Sequence, residues 1–168
     1  MVLQGLGAAD LLARNEFDTI YHEHFSYLSL LALEPVFAAE GLSVVDVDEL
    51  STHGGTLRVW LAHTGSAPES PNVERIRQAE AAAGLNDVAT YRQFGATVEA
   101  HKREILRHLI DLVESGKRVA AYGAPAKGNT MLNYCGIRTD LISFTVDRNP
   151  AKQGTLLPGS RIPVLEPE

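Results

Sequence analysis

The sequence has 168 residues, enough for one ordinary domain or two small ones, and its 45% hydrophobic and 21% charged content excludes a disordered tail, a collagen-like fibre or a coiled coil. Fifteen Lys and Arg against 21 Asp and Glu leave a net charge of −6, the wrong sign for a general nucleic-acid or anionic-membrane binder. No stretch approaches the ~20 apolar residues that span a bilayer, no basic run precedes an apolar one at the start, and the single Cys135 supports neither a disulfide framework nor a cysteine-rich metal site, so a soluble, cytoplasmic protein is expected.

In chain order, residues 18–25 (DTIYHEHF) begin with β-formers and suggest a strand entering a polar loop. Residues 29–40 carry Leu30, Leu31, Leu33, Phe37 and Ala38 at helical spacing, with Gly41 as the stop and Pro35 the discordant residue inside. A short β-branched run at 43–47 and an alternating run at 56–62 (TLRVWLA), after the Gly54-Gly55 turn, predict strands. Residues 65–71 (GSAPESP) are the best linker candidate. Helix is expected over 73–83 and again over 88–114, where Tyr91, Phe94, Val98, Ile105, Leu109 and Leu112 form one stripe that ends at Gly116.

From residue 118 the period changes. RVAAY (118–122) reads as a buried strand, a glycine-containing loop leads into a short helix closed by Gly136, and LISFTV (141–146) is a second strand. This is β-loop-α-β, the opening of a parallel, doubly wound sheet, with one more short apolar run at IPVLEPE. The fold class expected is α/β, with a division into 1–64, which the resemblance described below implies is the end of a methyltransferase-type domain, a linker and helical segment over 65–116, and an incomplete Rossmann-like sheet over 117–168.

Three constellations carry candidate chemistry. Tyr21-His22-Glu23-His24-Phe25-Ser26-Tyr27 gathers several proton-moving groups in seven residues, and a neutral His serves as general base near pH 7. A solvated strand edge is the bland alternative. The H-E-H spacing does not match the H-E-x-x-H zinc pattern. His53-Gly54-Gly55 is either a plain turn or a place where backbone approaches a ligand closely. Gly123-x-x-x-x-Gly128 follows a strand and opens a helix, the setting in which backbone N–H groups cradle phosphate. Lys127 precedes the second glycine and Asn129-Thr130 follow it, so the loop is not a Walker A motif. Pro125 stands where the dinucleotide fingerprint needs its middle glycine. Asp147, about 24 residues on, ends the next strand near where an acid contacts a ribose hydroxyl. A degenerate nucleotide or phosphate site and a helix-packing turn both remain open. Cys135, at a helix end, reads as a small core residue.

FDTIYHEHFSYLSL, THGGTLRV, VAAYGAPAKGNTMLNYCGI and FTVDRNPAKQGTLLPGSRIPV, in this order, resemble the C-terminal part of S-adenosylmethionine-dependent sugar C-methyltransferases, over residues 11–166. The resemblance implies methylation of a carbon next to the ketone of a nucleotide-linked deoxysugar. A base takes the α-proton, and the enolate carbon attacks the sulfonium methyl group. It implies His24 as that base, Glu23 orienting its imidazole, Tyr21 donating to the enolate oxygen, and His53 lining the pocket. A nucleotide-linked sugar, of the dTDP class, would sit with its diphosphate near Gly123, Lys127, Gly128, Asn129 and Asp147. Family members also carry a cysteine-rich zinc domain and a glycine-rich cofactor-binding half, neither matched here. The chain therefore resembles a fragment, without the S-adenosylmethionine site and without a metal. A non-catalytic nucleotide-sugar-binding module, or a structural remnant, is the alternative.

Overall fold

The computed structural model describes residues 1–168, the side chain of His53 excepted. It is a mixed α/β structure with two sheets, in two units: Met1–Glu16 with His24–Gly95, and Phe17–Glu23 with Ala96–Glu168.

The first unit contains strands β1 (Val2–Gly7), β2 (Tyr27–Leu28), β3 (Leu42–Leu50) and β4 (Thr56–His63), in the order β2-β1-β4-β3. β4 runs antiparallel to both β1 and β3, and β2 pairs in parallel with the end of β1. The alternation read in 56–62 is realised: Leu57, Val59 and Leu61 are buried while Arg58 and Trp60 face the other way. The run at 43–47 is the first half of a longer strand, broken in register between Val44 and Asp46. β1 and the short helix α1 (Ala8–Ala13) had no legible signal, because VLQGLG alternates polar and glycine positions too weakly to mark a strand.

Helix α2 (Leu30–Ala39) forms over the expected span with Pro35 inside it. Its N-terminal donors are unusually well held. Ser29 Oγ accepts from Ala32 N at 3.1 Å. Glu80, 2% exposed on helix α3 (Pro71–Ala82), accepts from Leu30 N at 2.8 Å and Leu31 N at 2.9 Å. Those capping bonds offset the backbone bond that proline removes. Leu30, Leu33, Val44, Val47, Leu57, Val59, Leu61, Val73 and Ile76 form the core of this unit. The linker candidate is tied down at its end: Ser70 Oγ donates to Asp46 Oδ1 at 2.5 Å, and Asn72 Nδ2 donates to the same oxygen at 3.1 Å. These two bonds, with Val47 N, hold the Asp46 carboxyl below its ordinary range.

Helix α4 runs unbroken from Val88 to Glu114, through Gly95. In the second unit a three-stranded parallel sheet has the order β5 (Ala120–Tyr122), β6 (Phe144–Val146), β7 (Val164–Leu165), with α5 (Ala126–Cys135) between the first two. The β-loop-α-β expectation and the third short strand are both present. The buried character read into 118–122 is corrected: β5 is an edge strand, and Tyr122 is 68% exposed. Apolar composition cannot tell a central strand from an edge one. Leu132, Cys135, Ile137, Ile142, Leu157, Ile162 and Val164 make the core, with Ile105, Leu106 and Leu109 of α4 against it. Burial pushes the Cys135 thiol up, as befits a core cysteine.

Residues 18–25 form no strand. A single 3-10 turn, Phe17–Thr19, is closed by Ile20 N donating to Phe17 O and Tyr21 N donating to Thr19 O. Phe17 and Thr19 are buried, and the Phe17 ring lies 5.3 Å from that of Tyr134 on α5. Packing of these side chains on the helix overrides the β propensity of the segment.

Candidate functional site

The Tyr21-to-Tyr27 stretch is irregular backbone between the 3-10 turn and β2. On the second unit, Tyr21 is half-buried with its ring 6.0 Å from that of His22. Glu23 is 66% exposed on its side chain and lies 4.0 Å from His22 Nε2. On the first unit, His24 is half-buried, with its ring edge-on to Tyr27 at 6.3 Å, and Tyr27 Oη donates to His24 O at 3.5 Å. Phe25, beside it, is 93% exposed.

The side chain of His53 lies outside the described residues, but its turn is well defined. Thr52–Gly54 is a 3-10 turn. Gly54 and Gly55 have φ of 93° and 145°, and Arg14 Nη1 donates to Gly54 O at 2.8 Å while pairing with Asp10. A Cβ on Gly55 would fall 2.1 Å from Asp10 Oδ2, and one on Gly54 at the same distance from a Glu16 carboxylate oxygen. Both glycines are required by the positive φ of the turn, and Gly55 also by Asp10 of α1, whose Cβ would lie 2.5 Å from the added one. Gly55→Ala should destabilise the first unit by about 1–3 kcal/mol through positive φ and the displaced carboxylate. Urea unfolding would check this, and an unchanged midpoint would contradict it.

The third constellation is the most completely built. β5 ends in Gly123, whose φ of 92° turns the chain away from the sheet. Ala124 follows, then Pro125 as N-cap of α5 with extended backbone and no side-chain cap. Asn129 N is the first to find a carbonyl, that of Pro125, so among the described residues the N–H groups of Ala126, Lys127 and Gly128 have no backbone partner and point outward at the positive end of the helix. Lys127, half-buried, brings a full positive charge to the same turn.

Asp147 ends β6 as expected, and its carboxylate is engaged. Oδ2 accepts from Ala124 N at 2.7 Å and Oδ1 from Asn149 N at 2.8 Å. These two donors, Asn149 first, hold its pKa below the ordinary carboxylate range. Lys152 Nζ lies 3.6 Å from Asp147 Oδ2 and donates to Ala124 O at 2.9 Å. Asp147 and Lys152 thus clamp both polar groups of Ala124 and fix the loop. Sequence reading missed Lys152, five positions after Asp147 in DRNPAK, because a lone lysine in a turn carries no signal without the fold.

Under this loop, between β5, β6 and α5, is a pocket of about 180 Å³ with mostly apolar walls. Gly123, Gly128 and Asn129 line it together with Met131, Ile142 and Ile162. Elsewhere, in the first unit, the cavity bounded by Gly7, Asp10, Glu49, Leu57 and Glu80 holds about 80 Å³. Small-molecule sites generally run from ~300 Å³ upward, and both of these cavities are smaller. No cluster of metal-ligating side chains occurs among the described residues.

The family model for the C-methyltransferase C-terminal domain matches residues 51–168, a span that holds the loop, its clamp and the pocket. This chain belongs to that family. It is also 42% identical over 160 residues to the C-methyltransferase NovU of Streptomyces niveus, covering 95% of this chain and 38% of that protein. The chain thus spans well under half the length of this curated relative. In this C-methyltransferase C-terminal domain the second unit carries the 123–128 loop and, under it, the apolar pocket. No helix among the described residues is long and apolar enough to cross a membrane.

Proposed function

We propose that this C-methyltransferase C-terminal domain contributes the nucleotide-sugar site and the proton-abstracting group of an enzyme that methylates the carbon beside the ketone of a nucleotide-linked deoxysugar. The observation that carries this reading is the loop 123–128. Three N–H groups without a backbone partner, Lys127 and the positive end of a helix lie together there, and the Asp147–Lys152 clamp fixes the loop. A diphosphate satisfies all of them at once. Lys127 and Gly128 meet the phosphate in this reading, Asn129 borders the pocket, and Gly123 and Asp147 act by fixing the loop.

The reacting end of the substrate is assigned to Tyr21, Glu23 and His24. His24 Nδ1 or Nε2 takes the α-proton, Glu23 supports the imidazolium that results, and Tyr21 donates to the oxygen on which the enolate charge develops. His53 also contacts the substrate in this proposal. S-adenosylmethionine supplies the methyl group in such enzymes, and its site is placed outside these residues. The protein acts in the cytoplasm in this reading, where sugar nucleotides are made.

Lys127→Ala should weaken binding of a dTDP-sugar by about ten- to a hundredfold, the loss expected for one charge-assisted hydrogen bond. Titration calorimetry at low salt measures it. The loss should shrink as salt is raised, because the lysine is partly exposed. Unchanged affinity at low salt would return the loop to helix packing.

A further inference from the structure

The second unit takes one short segment from the beginning of the chain, Phe17–Glu23, and the rest of it is Ala96–Glu168. The segment adds a single 3-10 turn, yet Phe17 is only 8% exposed and Thr19 only 1%. Phe17 nevertheless belongs to neither hydrophobic core. Its ring meets two aromatic neighbours, Tyr134 at 5.3 Å between centroids and His101, edge-on, at 6.4 Å. Ring pairs at such separations attract one another beyond the area they bury. Tyr134 is itself braced from α4, where Lys102 Nζ donates to its carbonyl at 2.9 Å and lies 5.1 Å from the centre of its ring. A buried aromatic outside the core, seated on a braced tyrosine, has the build of an anchor.

The anchored turn leads straight into the candidate catalytic stretch. Ile20 N donates to Phe17 O and Tyr21 N to Thr19 O, each at 3.1 Å, so the backbone of Tyr21 follows the turn that Phe17 and Thr19 hold. On the other side of the contact, Tyr134 lies in the last turn of α5, whose first turn carries Ala126, Lys127 and Gly128. One helix therefore holds the 123–128 loop at its start and the segment bearing Tyr21 near its end. A donor aimed at developing charge works only when its place relative to the bound substrate is fixed, and a shift of ~1 Å can cost ~10²-fold in rate.

We propose that Phe17 is a positioning residue for the proton-abstraction step: seated on Tyr134, it fastens Tyr21 to the helix that carries the 123–128 loop, so that a substrate held by its diphosphate meets the Tyr21 hydroxyl at a fixed place. Phe17 touches no reacting atom and acts through Tyr21 alone. The inference rests on the roles given above to Tyr21 and to the loop, and adds the residue that couples them. The Lys127→Ala titration tests the loop separately.

The test combines kinetics in a full-length C-methyltransferase carrying this sequence with NMR of the chain itself. With a dTDP-linked keto-deoxysugar as substrate, Phe17→Ala should lower kcat by ~10–100-fold while KM for the sugar stays within a few-fold. Phe17→Leu, which refills the space against Tyr134, should recover most of that loss. Tyr21→Phe should cost ~10²–10³-fold, the range for one lost oxyanion donor. Adding Phe17→Ala to it should cost no more than about twofold further, because both act through one group. Losses that multiply in the double variant, or Phe17→Ala turning over at the parent rate, would overturn the positioning role and leave Tyr21 its own. Tyr21→Phe at the parent rate would instead remove the assignment of Tyr21, and the positioning role with it. In the chain itself, with labelled Tyr rings and Ile methyl groups, Phe17→Ala should shift the Tyr21 signals and leave those of the core residues Ile137 and Ile162 in place. Loss of the Ile137 and Ile162 signals from their folded positions would make Phe17 an ordinary core residue and overturn the proposal.

Discussion

His24→Ala, placed in a full-length C-methyltransferase carrying this sequence, is expected to lower kcat by ~10²–10⁴-fold, the range set by loss of a general base. The imidazole is half-buried beside Tyr27 and lies on the chain between Glu23 and the fully exposed Phe25. Its ring meets that of Tyr27 edge-to-face and belongs to neither hydrophobic core, and urea unfolding of the variant checks that folding is kept. The readout that distinguishes a base from a structural residue is exchange of the substrate α-proton with deuterated water. Exchange should disappear with turnover in His24→Ala, while the KM for the nucleotide-sugar stays within a few-fold. A variant that turns over near the parent rate would move the proton-abstracting role elsewhere, with His53 the next to examine.

Glu80→Ala is expected to destabilise the first unit by about 2–5 kcal/mol, because it strips two buried N–H groups of their acceptor and leaves a void beside Leu30. Glu80→Gln separates charge from shape. Desolvation is the largest influence on the Glu80 carboxyl and raises its pKa above the ordinary 4.5, against the lowering effect of the Leu31 and Leu30 N–H bonds. A pKa raised in the folded state means that folding is favoured by proton uptake. That contribution is complete below pH 4.5 and is lost as pH rises through the folded value. The stability of the parent relative to Glu80→Gln should therefore fall between pH 4.5 and neutrality, measured as the difference in urea midpoints across that range. A difference independent of pH would show that the carboxylate is stabilised by its two N–H donors as much as it is penalised by burial.

Much of this architecture is legible without coordinates, and the reasons are local. The helix at 88–114 carries its stripe through many turns, α5 is bracketed by Pro125 and Gly136, and β4 alternates cleanly. Each is a pattern in which periodicity and end signals agree. β1 escaped because Gln4, Gly5 and Gly7 give it neither β-branching nor alternation, and it is held by pairing with β4 rather than by propensity. The segment 18–25 misled for the converse reason: Thr19, Ile20 and Tyr21 favour a strand, but no neighbouring strand takes them.

For the candidate site, residue types and spacing by themselves nominated Tyr21, Glu23, His24, the glycine turn at 54–55, and the loop with Lys127, Asn129 and Asp147. Those are chemical identities, and chemistry is written in the sequence. What each group is free to do was decided only by tertiary structure. Asp147 has the identity of a ribose-binding acid, yet both of its oxygens face backbone donors that come from 23 residues before it and two after it. Asn129 has the identity of an ordinary helix-surface residue, yet its amide oxygen is buried without a hydrogen-bond partner. Burial and hydrogen bonding depend on atoms brought together from distant parts of the chain, so a sequence can name the candidates but only the fold determines which of them has a lone pair left to offer.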